Sequence, residues 1–355
     1  MHQSVNPLKR FATNLIVTSR EAKVIESQLI QFPELSIDFN QDPSGRFWET
    51  LDGRGLTTLS PGAGDYSLDR NNNAQKQLFL NSENEGVAED ALSLIHCGNI
   101  LIYPDPDIVS TNIYLSVNEI DIANDEYRKV VHSGLIHMAR VAYGTHILKH
   151  AWTDLAISYA IHKYVVSLEL ASFTPHSANP KYGQVFENFD HKRRYHVQAA
   201  HAIMLAFAAI EELQLEVRSS SKRKRFLDNE KGIWNPIVLE DVNQRLEKIG
   251  IREDDNIDWV YRGDSTEVHK SMAPQFGYDS DFQEWHEDVK DKTLTFAEAL
   301  HNASYLRNFF AAHKFQELSQ YLSPYDVYNV QDLARTLILH KVELWEDHRI
   351  VDLYH

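Results

Sequence analysis

The stretch YHVQAAHAIMLAFAAIEELQLEV, residues 195–217, is apolar on nearly every side when it is wound as a helix. A helix without a polar face cannot lie against water, so this pattern predicts a central helix enclosed by others. Residues 127–150, 151–172, 295–315 and 323–341 also favour helices, because their apolar residues recur at helical spacing. We therefore expect about the last two thirds of the chain to form a bundle of five or six helices.

Two helices of this part carry recognisable end signals. Asn235 is a good N-cap residue, it is followed by a proline that suits the first helical turn, and Gly250 is a suitable terminator. Thr295 is followed three residues later by Glu298, which is the spacing of a capping box. Residues 252–287 lie between these helices, are acidic and weakly patterned, and are expected to have little regular structure.

The first 125 residues have a different character, with short helical and strand-like segments. Helices are predicted at 18–31 and 85–96, and strands at 56–59, 99–103 and 112–122, the last two joined as a hairpin through 104–107. The expected fold class is mainly α. A mixed α/β domain over 1–125 is followed by a helical domain over 126–355, which carries an acidic insertion at 226–290.

Composition limits the class of protein. The chain has 355 residues, 43% of them apolar, which is enough to bury a core, and its single cysteine, Cys97, excludes a disulfide framework or a cysteine-based zinc site. The N-terminus has no apolar run typical of a signal peptide. The longest wholly apolar run, Ala202–Ile210, is too short to span a membrane. We expect a soluble cytoplasmic protein with no membrane partner.

The net charge of −16 is unevenly distributed. Residues 1–130 carry −9, residues 226–300 carry −10 and residues 301–355 carry −2, whereas residues 131–225 carry +5. An evenly acidic chain would repel a polyanion, but this distribution leaves a basic stretch around the central helix. It argues only against a protein that binds nucleic acid over its whole surface.

Common metal and nucleotide motifs are absent from the sequence. There is no His-Glu-x-x-His, no phosphate-binding loop and no Gly-x-Ser-x-Gly. His146 and His150 lie four apart on one helix face and could share a metal, although polar groups at a helix surface are the simpler interpretation. Neither a metal nor a cofactor is expected.

The segment from Tyr305 to Phe315 is the best candidate for chemistry. Arg307 and His313 lie six residues apart, about 120° around an ideal α-helix, so they converge only if the arginine reaches across or if two copies meet. Cleavage of RNA needs a base, an acid and a cation on the phosphate, and histidine and arginine supply these functions. Asn308 could orient either side chain. The spacing alone also arises by chance in many helices.

An arginine followed by asparagine, apolar residues and histidine on a late helix resembles the HEPN domain family, whose signature is Arg-x(4–6)-His. The resemblance covers about residues 127–345. It implies a four- or five-helix bundle that dimerises with two motifs facing each other. It further implies a metal-independent endoribonuclease, of the kind used as a toxin or in anti-phage defence. By position, Arg307 and His313 would be the catalytic pair and Asn308 an accessory residue.

The expected partners are RNA, a second copy of the chain, and an antitoxin or other regulatory protein. Residues that could contact RNA phosphates flank the central helix: Lys192, Arg193 and Arg194 before it, and Lys222, Arg223, Lys224 and Arg225 after it. Glu211 and Glu212 must be paired if they are buried, and could hold Arg307 from the neighbouring helix. The alternative function is a non-catalytic HEPN-like protein that binds nucleic acid or nucleotides, or acts as a sensor.

Overall fold

The structure is a computed structural model that describes residues 8–39, 75–104, 115–119, 136–138, 140–172, 193–262, 289–311 and 324–354. The chain divides into two compact units, one of residues 1–102, 112–153 and 352–355, and one of residues 103–111 and 154–351. The described ranges contain eight α-helices and several small sheets. The helix-rich character predicted from the sequence is therefore confirmed.

A five-stranded sheet organises the first unit. Its strands are β1 (Lys9–Thr18), β2 (Leu35–Phe39), β3 (Gln75–Ser82), β4 (Val117–Glu119) and β5 (Ile136–His137). They follow the order β2-β3-β1-β4, with β5 pairing parallel to β1 and the other pairs antiparallel. Phe11 of β1 lies opposite Leu80 of β3, and both side chains are completely buried. The sheet therefore carries part of the core of this unit.

Three helices accompany the sheet: α1 (Ser19–Ser27), α2 (Glu85–Ile102) and α3 (Val141–Ala151). Helices α2 and α3 pack closely at Gly98 and Gly144. A Cβ atom added to Gly144 would lie 2.3 Å from the carbonyl oxygen of Ile95 and 2.9 Å from Oδ1 of Asn99. Only glycine allows the two helix backbones to approach to this distance.

Three predictions for the first unit are wrong. The strand predicted at 99–103 is in fact the last turn of α2 up to Ile102, so the hairpin predicted through 104–107 is wrong as well. Ile100, Leu101 and Ile102 are buried, and their unbroken apolar run resembles a strand in sequence. The helix predicted from residue 127 begins at Val141, after strand β5. The strand predicted at 56–59 lies outside the described residues.

The second unit contains the helices α4 (Leu155–Leu170), α5 (Arg193–Glu212), α6 (Pro236–Glu247), α7 (Phe296–Tyr305) and α8 (Pro324–Lys341). A π-helical segment, Leu306–Ala311, continues α7. Helix α5 packs against α4, α8 and the π-helical segment. Ala202, Ile203 and Ala206 of α5 are completely buried, as expected for the apolar stretch from which it was predicted.

The helix ends of this unit follow the sequence signals. The side chain of Asn235 accepts a hydrogen bond from the backbone N–H of Ile237 at 3.2 Å, and Gly250 has a φ of 81° after the end of α6. Thr295 Oγ1 accepts from the N–H of Glu298 at 3.3 Å, and Glu298 Oε2 accepts from the N–H of Thr295 at 2.8 Å. The predicted capping box at the start of α7 is confirmed.

The expectation of little regular structure at 252–287 is wrong for its first part. Strand β8 (Asn256–Arg262) pairs antiparallel with β9 (Val289–Thr295), which leads directly into α7. Asn329 of α8 accepts from the N–H of Val260 and donates to its carbonyl oxygen, both at 2.8 Å. The sequence of β8 gives no clear strand pattern, and β8 is held by pairing with β9, which lies more than 25 residues further along the chain. Residues 263–288 lie outside the described ranges.

The described part of this unit also contains two short hairpins: β6 (Phe226–Asp228) with β7 (Ile233–Trp234), and β10 (Trp345–Glu346) with β11 (Arg349–Ile350). The first hairpin lies directly after the basic residues 222–225. Phe226 and Trp234 face each other with ring centroids 4.6 Å apart. None of the helices in the described ranges combines the length and the apolar character needed to cross a membrane.

Candidate functional site

Arg307 and Asn308 lie on the π-helical segment that follows α7. Its first residue, Leu306, is completely buried and anchors the segment. A π-helix closes each turn with one residue more than an α-helix, so the ideal α-helical geometry expected for this segment does not continue through Leu306–Ala311. His313 itself lies outside the described residues, so the angle of about 120° between it and Arg307 stays a prediction. Short π-helical segments are frequent at functional sites, which draws attention to Arg307.

The guanidinium group of Arg307 is held from two sides. Its Nη1 donates to Oδ1 of the neighbouring Asn308 at 2.7 Å, and its Nη2 lies 3.8 Å from Oε1 of Glu211 on α5. The Cζ atom is 5.9 Å from the centre of the Phe207 ring, also on α5. The Arg307 side chain is 36% exposed. A positive charge with a fixed direction therefore reaches the surface here.

Hydrogen bonds connect Arg307 to a buried group. Asn308 Nδ2 donates to Oγ of Ser304 at 3.5 Å, and Ser304 Oγ also accepts from Nη2 of Arg225 at 3.1 Å. The Nη1 of Arg225 in turn contacts Nδ1 of His301 at 2.6 Å. These five residues, His301, Arg225, Ser304, Asn308 and Arg307, form a continuous polar chain, which we call the Arg307 chain. It runs from the buried interior to the surface.

The buried end of the Arg307 chain has a defined protonation. An arginine can only donate hydrogen bonds, so Nδ1 of His301 must accept and the ring proton is assigned to Nε2. Burial, together with the positive charge of Arg225, lowers the pKa of His301 well below its usual value. Burial lowers the pKa of Arg225 to about 10, so this side chain remains charged at neutral pH. The rings of Phe226 and His301 are perpendicular to each other, with their centroids 4.8 Å apart.

The basic residues predicted to contact RNA have different environments. Lys222 and Lys224 are exposed, whereas Arg223 lies 3.3 Å from Oδ2 of Asp241 on α6. Arg225 points inward to His301 and Ser304. Of the cluster before α5, Arg193 and Arg194 are exposed at the start of the helix, and Lys192 lies outside the described residues.

The two glutamates at the end of α5 have separate partners. Glu211 faces Arg307, and its side chain is 40% exposed. Glu212 pairs with Lys163 of α4 at 2.5 Å. Of the two, Glu211 is therefore the residue placed beside the candidate site, and Glu212 joins two helices.

No group of three or more His, Cys, Asp or Glu side chains in the described ranges is arranged to hold a metal ion. The rings of His146 and His150 lie on one face of α3, with their centroids 4.7 Å apart. Both belong to the first unit, whereas the Arg307 chain belongs to the second. A pair of histidines without a further ligand makes a weak metal site at best.

His301 and Ser304 were missed from the sequence, although a signal for them exists. Together with Asn308 they recur at intervals of three and four residues, which places the three polar side chains along one helix face. The contact with Arg225 has no such signal, because 76 residues separate it from His301.

Comparison with models of protein families, with curated proteins and with solved structures gives no match for the chain. The function has therefore to be inferred from the chemistry of the Arg307 chain and its surroundings.

Proposed function

We propose that the second unit is a metal-independent endoribonuclease of the HEPN type, in which Arg307 binds the phosphate at the cleavage site. The observation that carries this proposal is the half-exposed guanidinium of Arg307, which Asn308 holds at 2.7 Å. Arginine keeps its charge at any physiological pH and binds two phosphate oxygens with its planar fork. A fixed arginine at a surface is suited to stabilise a phosphate in the transition state.

The proposed reaction uses the ribose of the RNA itself. The 2′-hydroxyl loses its proton to a base, its oxygen attacks the phosphorus, and the bond from phosphorus to the 5′-oxygen breaks. The products are a 2′,3′-cyclic phosphate and a 5′-hydroxyl, which takes up a proton from an acid. The resemblance to HEPN domains assigns both proton transfers, from the 2′-hydroxyl and to the 5′-oxygen, to His313. Arg307 holds the non-bridging oxygens, on which negative charge accumulates.

The neighbours of Arg307 fit this role. Asn308 directs the guanidinium through its side-chain oxygen, and Glu211 provides a counter-charge 3.8 Å away when no RNA is bound. This distance is long for an ion pair, and both side chains are partly exposed, so the contact is weak and a phosphate can replace it. By the same proposal the protein works in the cytoplasm as a homodimer, as a toxin or defence effector restrained by an antitoxin or another regulatory partner.

A second candidate function is a non-catalytic protein that binds nucleic acid or nucleotides, or acts as a sensor. It is favoured by one observation: Arg225, the residue of the second basic cluster nearest to the site, is used inside the fold and not at the surface. Arg307 would then bind a phosphate without any bond being broken.

The test is RNA cleavage by the purified full-length chain in the presence of EDTA, on end-labelled tRNA and messenger RNA. Wild-type protein is expected to produce 2′,3′-cyclic phosphate ends, and His313→Ala is expected to abolish them. His201→Ala, which changes an exposed histidine of α5, is the matched control and should cleave like wild type. If the wild type binds RNA without cutting it, the second candidate is correct. If His313→Ala cuts as well as wild type, the proposed mechanism is wrong.

A further inference from the structure

We infer that Arg225 is a positioning residue for Arg307, and that it acts through Ser304 and Asn308. The inference rests on the proposed function, because it assigns the residue that sets the direction of the phosphate-binding arginine. It also replaces the role that the sequence suggested for Arg225, which was direct contact with RNA. A residue that acts inside the fold affects the reaction by a different route from one that touches the substrate.

The environment of Arg225 fits a positioning residue. Its two terminal nitrogens are both engaged, Nη1 with His301 at 2.6 Å and Nη2 with Ser304 at 3.1 Å. Both partners are buried, with only 4% of their surface exposed. The next residue, Phe226, packs against Trp234 and His301. The guanidinium is therefore fixed by a rigid surround, and its charge is directed toward α7.

Donors and acceptors in the Arg307 chain can be assigned in one way. Arg225 and Arg307 are at opposite ends of the Ser304–Asn308 link, and arginine can only donate. Ser304 Oγ must therefore accept from Arg225, and Asn308 Oδ1 must accept from Arg307. This leaves the amide nitrogen of Asn308 to donate to Ser304, as found. The orientation of the Asn308 amide is thus fixed from both ends.

Ser304 is the link on which this arrangement depends. It lies one helical turn before Asn308, so its hydroxyl oxygen can accept from Arg225 and Asn308 at the same time. The hydrogen bond from Asn308 to Ser304 is the longest in the Arg307 chain at 3.5 Å, so it is the easiest to break. Without the oxygen of Ser304, Arg307 is the one side-chain partner that the amide of Asn308 keeps among the described residues. Arg307 would then lose the fixed direction on which phosphate binding in the transition state depends.

The experiment compares Ser304→Ala with Ser304→Thr in the full-length chain, using RNA cleavage in EDTA. We expect Ser304→Ala to lower kcat about 10- to 100-fold and to leave KM within about threefold, because the charge of Arg307 remains in place while its direction is lost. Ser304→Thr keeps the hydroxyl and should restore most of the rate. Ser158→Ala, at a half-buried serine of α4, is the control for loss of a helix hydroxyl.

Arg225→Lys separates positioning from contact with RNA. Lysine keeps the charge but cannot bond His301 and Ser304 with a planar fork, so kcat should fall as in Ser304→Ala with KM unchanged. A rise in KM with kcat unchanged would show that Arg225 contacts RNA and would overturn the inference.

A measurement that does not depend on RNA cleavage tests the positioning role independently of the proposed function. In the arginine side-chain NMR spectrum, the Arg307 signal is assigned by its loss in Arg307→Lys. Rotation of the guanidinium should be slow in wild type and faster in Ser304→Ala. If wild-type protein cuts no RNA but this change is seen, the proposed function fails and the positioning role stands. If rotation and kcat are both unaffected by Ser304→Ala, the inference is wrong.

Discussion

Each of the two units contains a buried polar cluster, and the two clusters differ in how they end. In the first unit, Oε1 of Glu21 accepts from the N–H of Ala142 at 3.0 Å and from the hydroxyl of Tyr354 at 2.8 Å. Glu21 is 4% exposed, so this cluster closes on a buried carboxylate, with only Tyr354 at its edge partly exposed. The Arg307 chain of the second unit begins inside the fold and ends at a side chain that is 36% exposed. A closed cluster contributes to stability alone, whereas an open one can also bind a ligand.

The closed cluster takes the place of a side-chain cap at the start of helix α3. Helix α3 starts after Arg140, which has a left-handed backbone and gives no side-chain cap. Glu21 supplies the missing acceptor from α1 and places a carboxylate at the positive end of the helix. Burial raises the pKa of Glu21, although the hydrogen bonds from Ala142 and Tyr354 oppose this shift. The carboxylate thus replaces a local cap.

The largest expected effect concerns the open end. Arg307→Ala removes the cation from the proposed phosphate site and should lower kcat/KM for RNA cleavage about 1,000-fold, as found for other residues that stabilise a transition-state charge. Arg307→Lys keeps the charge without the planar fork and should recover only part of the rate. Arg349→Ala, at an exposed arginine of β11, is the control. Equal cleavage by Arg307→Ala and wild type would remove Arg307 from the reaction.

The second prediction concerns the closed cluster. Glu21→Ala leaves the buried N–H of Ala142 and the partly buried hydroxyl of Tyr354 without their acceptor. We expect a loss of about 2–3 kcal/mol in the free energy of unfolding, measured by urea denaturation. Glu26→Ala, on the same helix, removes an exposed glutamate that lies 3.6 Å from Lys76. It should change the free energy of unfolding by less than about 1 kcal/mol. Equal effects of the two changes would contradict the closed cluster.

The third prediction concerns pH and the buried end of the Arg307 chain. Because His301 has a lowered pKa, the unfolded chain takes up a proton there before the folded one does as the pH falls. The contribution of His301 to the free energy of unfolding is therefore fully present above about pH 6.5. As the pH falls below that value, the free energy of unfolding decreases by up to about 1.4 kcal/mol per pH unit. His301→Asn should lose less stability than wild type between about pH 6.5 and 5. If the free energy of unfolding falls equally steeply with pH in His301→Asn and in wild type, His301 is not a buried neutral histidine.

The smallest effect is expected at Glu211. Glu211→Gln removes a negative charge beside Arg307 and should tighten RNA binding about two- to threefold, with less than about 1 kcal/mol change in stability. Glu212→Gln is a matched control, because its carboxylate pairs with Lys163 and not with Arg307. Fluorescence anisotropy with a short RNA measures both. A similar change in the two variants would point to net charge and not to the Arg307 site.

The sequence predicts best where structure is set by neighbouring residues. The Asn235 cap and the Thr295 capping box act over two or three residues, and both are present. The apolar pattern of α5 likewise identifies a buried helix without knowledge of its partners. Strands are harder to predict from sequence, because their partners can be distant in the chain. Strand β8, for example, pairs with β9, whose residues lie well beyond it. The run Ile100–Ile102 shows the same limit, since a buried helix and a buried strand are equally apolar.

The candidate site was predicted in part for the same reason. Arg307 and Asn308 were selected from local spacing, and the structure places them together with Glu211, which the sequence offered as a partner. The inward direction of Arg225 could not be predicted, because a basic residue in a charged run is usually solvated. Only the folded chain brings Arg225 to Ser304 and His301.

The most direct test of the difference between the two clusters measures unfolding and RNA cleavage in the same preparations of Arg307→Ala and Glu21→Ala. We expect Arg307→Ala to lose cleavage while its free energy of unfolding stays within about 1 kcal/mol of wild type. We expect Glu21→Ala to lose stability while the folded molecules cleave at the wild-type rate. If Arg307→Ala cleaves RNA normally, or loses activity only because it unfolds, the assignment of the open cluster to function is wrong.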